Sequence, residues 1–309
     1  MADHKSEGFL SSPGKIIADD AKEKLFISDS NHNRILITDL HGRILETIGS
    51  GKTGLNDGSF ATATFNHPQG MCLVDNHLYV ADTENNALRK VDLLQKTVET
   101  PPICKHLHSP LDLVPFENRI YIAMAGSHQI WMFDLQENQI GPFAGTGQES
   151  RVDGTLNTSC FAQPSGITID GHRLYIADAE SSSVQKIELV NGEVTTLVGM
   201  DMLDSGDVDG SGDQVQLQHP MGIHAYGGKL FLADTDNHKI KFIDPLTRTC
   251  MTVLGTGHPG RSTGQEPAFS KPSGLCVIAP YLYIADTDNH RIVKMFLGDR
   301  VVSELKLSE

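Results

Sequence analysis

One phrase recurs six times along this chain, and the recurrence limits the fold more than any other feature. It reads Pro13-Gly14, Pro68-Gln69-Gly70, Pro110-Leu111-Asp112, Pro164-Ser165-Gly166, Pro220-Met221-Gly222 and Pro272-Ser273-Gly274, with successive prolines 42 to 56 residues apart. Each copy opens an apolar run, then a short turn, then a second run: LFISD, LYVAD, IYIAM, LYIAD, LFLAD and LYIAD. Both faces of that second run are apolar, so neighbouring sheets must cover it on both sides. A third strand pattern such as 88–92 and a weaker fourth such as 97–99 complete the unit. A repeat of this length, built only of strands, closes into a toroid. The expectation is an all-β, six-bladed β-propeller with four antiparallel strands per blade. It forms a single domain over residues 1–309, with repeats starting near 13, 68, 110, 164, 220 and 272.

The repeat assigns roles to its positions. An aromatic side chain fills one place in every second strand: Phe26, Tyr79, Tyr121, Tyr175, Phe231 and Tyr283. Burying each contributes roughly 1.5–3 kcal/mol. Two residues on stands Ser28 or an alanine (Ala81, Ala123, Ala177, Ala233, Ala285). Small residues suit blades that converge on an axis, where bulk would overpack. In five copies the strand ends on an acid: Asp29, Asp82, Asp178, Asp234 or Asp286. Aspartate binds nearby backbone N–H groups, so these five are expected to be structural turn caps. The competing reading is a ring of metal-binding carboxylates. Five cysteines, an odd number without C-x-x-C spacing, read as reduced strand residues. Cys104 and Cys160, in loop-like stretches, are expected to be the more reactive.

Charge narrows the partners. There are 39 acids against 25 bases, a formal net charge of −14. Scattered lysines and arginines on an acidic chain do not build a phosphate-binding stripe, which argues against nucleic acid. No apolar run is long enough to span a membrane, and no secretory h-region precedes the first repeat. A cytoplasmic monomer is expected. The sequence has no H-E-x-x-H, no G-x-S-x-G elbow and no phosphate loop with its lysine.

Because adjacent strands alternate in direction, turns alternate between two faces. Short turns such as Asp75-Asn76-His77 and Gly227-Gly228 make one plain face. The other collects the turns after the Asp positions and long connections such as 49–65 and 200–217, where binding usually sits. It is expected to be acidic through Asp57, Asp153, Asp201, Asp204, Asp207, Asp209, Asp213, Asp236 and Asp288. Blade three breaks the repeat. Met124 replaces the acid, Asp112 replaces the glycine, and the only tryptophan, Trp131, follows Ser127 and His128. The partner-binding candidates are therefore Met124, Ser127, His128 and Trp131, with Asp207, Asp209, His238 and His290 from other loops. Residues 205–210 resemble a calcium loop, but Gln216 stands where the closing Glu would be. Asp57-Gly58 and Asp153-Gly154 occupy the same place before their prolines, which favours a structural turn. No cofactor is expected; the alternative leaves room for a calcium or zinc ion.

The pattern P-x-G followed by L-Y-[IV]-A-D-[ST]-x-N-[HN]-x-[IL] resembles the NHL repeat, over residues 13–309. Residues 123–131, and 206–210 with 217–220 after them, are similar to propellers of the NHL repeat-containing protein 2 family and its bacterial relatives. In that family a thioredoxin-like domain precedes the propeller. The resemblance implies such a domain, in the same or an accompanying chain, as a partner. With no C-x-x-C in this sequence, no redox role is expected of the chain itself. The function expected is a non-enzymatic protein or peptide interaction module that uses its acidic, loop-rich face. The alternative, also drawn from resemblance, is a metal-dependent propeller enzyme of lyase or lactonase type, with its site at the channel mouth.

Overall fold

The computed structural model describes residues 8–202 and 204–309. Six antiparallel sheets stand around an axis, each with its four main strands in sequence order. Blade one comprises Pro13–Asp19, Lys24–Asp29, Arg34–Asp39 and Ile44–Ile48, and blade two Pro68–Val74, His77–Asp82, Ala87–Asp92 and Thr97–Glu99. Blade three comprises Pro110–Phe116, Arg119–Met124, Gln129–Asp134 and Gln139–Ala144, and blade four Pro164–Asp170, Arg173–Asp178, Ser183–Glu188 and Glu193–Val198. Blade five comprises Gly222–Tyr226, Lys229–Asp234, Lys239–Asp244 and Thr249–Leu254, and blade six Pro272–Ile278, Tyr281–Asp286, Arg291–Phe296 and Val302–Glu304. The fold is the expected six-bladed β-propeller.

The core is divided into six clusters, one at each blade–blade interface, and each holds one of the six repeated aromatics. Phe26 packs on blade two, Tyr79 on blade three, and so on round to Tyr283 on blade one. The third residue of the inner strand marks the closest approach of neighbouring backbones. A Cβ on Gly274 would sit 2.7 Å from Gly14 O, and one on Gly70 would run into the Asp112 backbone. Glycine is needed there because the next blade already occupies the space.

Hydroxyls latch one blade to the next. Ser30 Oγ donates to Pro68 O at 2.7 Å, Thr83 Oγ1 to Pro110 O at 2.7 Å, Thr235 Oγ1 to Pro272 O at 2.8 Å and Thr287 Oγ1 to Pro13 O at 2.9 Å. In blade four, where Ala179 has no hydroxyl, Ser165 Oγ donates to Pro220 O instead, at 2.8 Å.

The connections do not all stay on one face. Those entering blades two, four and five run down the outer wall and add a two-residue fifth strand: Gly58–Ser59, Gly154–Thr155 and Gly210–Ser211. Each is anchored by the acid just before it. Thr100 Oγ1 and Thr196 Oγ1 donate to Asp57 and Asp153 at 2.7 Å, and Thr252 N donates to Asp209 at 2.8 Å. The calcium-like segment is thus held as a structural turn. Blade three has no fifth strand, and Pro142 takes the place of the anchoring threonine. Proline on an edge strand discourages further pairing.

The ring closes through both ends of the described chain. Ile44 N donates to Ser308 O at 2.7 Å and Ser308 N to Gly42 O at 3.0 Å, so the last residues lie along blade one. Leu10 is buried among residues of blades one and six, including Cys276, Tyr283 and Leu305. All five cysteines are free and buried. Cys104 and Cys160, expected to be the more reactive, are buried like the others, and burial pushes the Cys104 thiol up to about 12.

Candidate functional site: the loop-rich face and the axial channel

The strand-end acids are buried without solvent exposure. Asp29, Asp82, Asp234 and Asp286 are each followed by a single 3-10 turn, and none caps it. Instead each carboxylate accepts an N–H from the segment entering its own blade. Ser11 N, Asn66 N, Gln218 N and Ser270 N donate to Asp29, Asp82, Asp234 and Asp286 at 2.7 Å, and Ala162 N donates to Asp178 at 2.7 Å. The expected cap exists, but it ties the second strand to the start of the first. Burial raises Asp82, Asp178 and Asp286 above the ordinary carboxylate value against the pull of these bonds, and it pushes Asp234 up to about 7.

A buried cation sits beside most of these acids. Arg89 Nη1 lies 2.8 Å from Asp82, Arg291 Nε 2.7 Å from Asp286, Arg34 Nε 2.8 Å from Asp29 and Lys241 Nζ 3.7 Å from Asp234. Near Asp178 the positive charge comes from Arg151 on the incoming connection. Blade three has lost both partners together. Met124 is fully buried and its Sδ receives the His108 N–H at 3.3 Å, the bond a carboxylate takes elsewhere. Trp131 stands at the cation's position, its indole N–H donating to Gln129 Oε1 at 3.0 Å, and it packs in the interface between blades two and three. Met124 is therefore out of a partner's reach, and the irregularity of blade three is an internal exchange of packing for charge.

The turn histidines also work between blades. His238 Nδ1 accepts from Lys271 N at 3.1 Å and His290 Nδ1 from Ser12 N at 2.9 Å, while His128 Nδ1 bonds Ala162 O. Asn33 and Asn86 make the same bridge, to His67 N and Ser109 N, at 2.9 and 2.8 Å. All five residues have left-handed backbone with φ between 51° and 55°, a conformation Asn and His tolerate better than most. The Ser127 hydroxyl is enclosed without a partner among the described residues. Asp207 and Asp209 each bond Lys241 Nζ at 2.9 Å. Burial works against both charges, but the lysine bonds outweigh it and hold the two acids below the ordinary value. Among the described residues, no group of three or more His, Cys, Asp or Glu is arranged to hold a metal.

Exposed apolar side chains are found on the connections, as they are on the hairpins at Leu94, Val190 and Leu246. Val152 and Val208 occupy the same position on the connections entering blades four and five and are 44% and 45% exposed; Leu55 and Met200 are also exposed. Around them Glu149, Asp201, Asp204 and Asp213 are exposed acids.

The channel holds a feature not recognised in the sequence. At the third inner-strand position, glycine in four blades, blade one has Lys15 and blade three Asp112. Both are buried, and Lys15 Nζ crosses the axis to Asp112 Oδ2 at 3.2 Å and Ser165 O at 3.1 Å, and also bonds Met221 O. Asp112 Oδ2 in turn accepts Ile167 N at 3.2 Å. The pair satisfies inward-pointing backbone groups on the free edges of blades four and five. Burial raises Asp112 above its ordinary value despite Lys15. On the hairpin side of this bridge lies a cavity of about 310 Å³, lined by all six inner strands. The departure of Lys15 and Asp112 from the glycine pattern was the available signal. Their partnership was hidden because 97 residues separate them.

Comparison with known proteins agrees with this architecture. The NHL repeat family model matches residues 65–91 and 161–187, in blades two and four. NHL repeat-containing protein 2 is 37% identical in Gallus gallus and 36% in Homo sapiens, each over 96% of this chain and 48% of the relative. Protein SUPPRESSOR OF QUENCHING 1, chloroplastic, of Arabidopsis thaliana is 42% identical over 96% of this chain and 31% of its own length. The chain thus spans about half or less of the curated relatives it matches. Among solved structures, a streptogramin B lyase superposes with a TM-score of 0.63 at 13% identity, covering 97% of this chain and 84% of the other. A chain of the nidogen/laminin complex gives 0.63 at 15% identity, with 91% and 90% covered. At such identities these two speak for the fold alone. With the repeat model, the relatives and the six blades in agreement, the chain belongs to the NHL-repeat β-propellers.

Proposed function

We propose that the chain is a non-enzymatic interaction module that binds a protein partner through the loop-rich rim of blades four and five. The observation that carries this reading is the pair of exposed valines, Val152 and Val208, displayed at equivalent positions among exposed acids. The strand-end acids, Asp207, Asp209 and the turn histidines are engaged inside the molecule, whereas these side chains have no internal work. A mixed apolar and acidic surface suits a partner with apolar anchors and basic side chains, and its charge would set association rate and salt dependence. The first partner to test is the one implied by the family resemblance, a thioredoxin-like domain. Titration calorimetry of that domain against the chain should show binding that weakens with salt. Val152→Glu with Val208→Glu should weaken it by about tenfold or more, about 1.4 kcal/mol. Binding that survives the double substitution, in a variant that melts normally, removes the rim from the reading.

A further inference from the structure

The axial cavity is a separate matter from the rim, and it opens at the other end of the ring. Inner strands start on the loop-rich face, so the Lys15–Asp112 bridge at their third position closes the channel near that face. The lining continues through the fourth, fifth and sixth positions towards the short hairpins. The cavity is therefore a cup with a polar floor, entered from the side the sequence marked as plain.

Its walls are not uniform. The partly exposed Ile17, Leu73, Val114 and Pro115, from blades one to three, form an apolar arc. At the fifth position only the adjacent blades four and five carry polar side chains, Thr168 and His224. Ala225 N donates to Thr168 Oγ1 at 3.0 Å, which leaves the hydroxyl proton free to be donated. The His224 ring lines the cup, and among the described residues burial alone, with no hydrogen bond, perturbs it. Burial pushes His224 down to about 4, so at neutral pH it offers one donor and one acceptor without charge. The floor offers no free charge either. Lys15 already faces a carboxylate and two carbonyls. A volume of about 310 Å³ is at the small end of ligand sites.

We propose that this cup is a binding site for a small uncharged planar molecule carrying an amide or a comparable donor–acceptor edge. The polar edge pairs with Thr168 and His224, and the apolar body rests on Ile17, Leu73, Val114 and Pro115. The pairing selects against carboxylates, because burying an anion beside a neutral imidazole and a saturated lysine leaves its charge unpaired.

Benzamide is the probe, with benzoate as its isosteric anion. Both are titrated into the full chain while the histidine imidazole signals are followed by proton–carbon correlation spectroscopy. Benzamide should shift the His224 signals saturably at millimolar concentration, and benzoate should bind at least about tenfold more weakly. Thr168→Val should weaken benzamide by about five- to tenfold, the loss of one hydrogen bond, and His224→Leu by a similar factor. The His224 signals of the unsubstituted chain decide the matter if either variant folds poorly. No saturable shift with benzamide, equal or tighter binding of benzoate, or unchanged affinity in both variants overturns the proposal. Since the rim lies elsewhere, none of these results bears on partner binding there.

Discussion

Replacing Lys15 and Asp112 by the glycine that the other four blades use at this position gives a test in which the single changes should hurt far more than the pair. Lys15 is 5% exposed and Asp112 8%, and they meet at 3.2 Å. Lys15→Gly leaves a buried carboxylate with the Leu113 and Ile167 N–H groups as its remaining partners. Asp112→Gly leaves a buried ammonium with two carbonyls. Removing one member of a buried pair costs about 3–5 kcal/mol, and the surviving bonds place each single change near the lower end, about 3. The double change removes both charges and returns the Ser165 and Met221 carbonyls to a water-accessible channel. What remains is the backbone entropy of two glycines, about 0.5–1 kcal/mol each. The singles therefore sum to about 6 and the double costs about 1–2, a coupling of roughly 4 kcal/mol, somewhat beyond the usual range for residues in contact. Urea unfolding of the four proteins, followed by tryptophan fluorescence and far-ultraviolet dichroism, measures all four corners. Additive single effects would mean that the two side chains stabilise separately and that the channel is not closed by their union.

Other changes probe the blade-to-blade connections. Met124→Asp puts a carboxylate into blade three without its cation and should cost about 3–5 kcal/mol; adding Trp131→Arg, the arrangement of Asp82 with Arg89, should recover at least about 1 kcal/mol in the same unfolding assay. Thr235→Val removes the hydroxyl bonded to Pro272 O at 2.8 Å and should lower stability by about 1 kcal/mol. His238 must be neutral to accept the Lys271 N–H, and burial lowers its affinity for a proton. The folded state thus binds that proton less readily than the unfolded one, so the contribution is complete above about pH 6.5 and is lost as pH falls through and below that value. His238→Asn, the residue type at the same place in blades one and two, should flatten that part of the stability profile, and an unchanged slope would put the titration elsewhere.

What the sequence made legible was whatever repeats. The P-x-G phrase, the second-strand aromatics and the small residues gave six blades because each copy confirms the others. The faces followed from strand alternation, but only in part. A two-residue strand such as Gly58–Ser59 carries no pattern of its own, so the descent of the connections along the outer wall could not be read. The acids were recognised as binders of backbone N–H groups, yet the backbone N–H they accept lies 16 positions upstream, and the adjacent turn reaches them only through side chains such as Asn85, Asn237 and Asn289. Only closure of the blade brings those together. Lys15, Thr168 and His224 escaped notice for a related reason. Each looks ordinary in its own strand and acquires meaning only when the ring places the inner strands side by side.

The departures from the repeat show how to separate compensation from function in such a ring. Where the strand-end acid is lost, at Met124, the neighbouring cation is lost as well, at Trp131. The latch hydroxyl is lost at Ala125 and Ala179; in blade four Ser165 donates to the next blade instead, and among the described residues blade three has no such donor. Blade three lacks the fifth strand, as blades one and six do, and there Pro142 blocks the edge it would have covered. Several irregularities are answered within the molecule, so irregularity alone does not mark a binding surface. The informative departures are those without an internal answer. Val152 and Val208 are exposed at equivalent places on two connections, and His224 lines a cavity whose floor is already neutralised. A side chain that the fold neither packs nor pairs is available to something outside the chain, which is why the rim and the cup, rather than blade three, carry the functional argument.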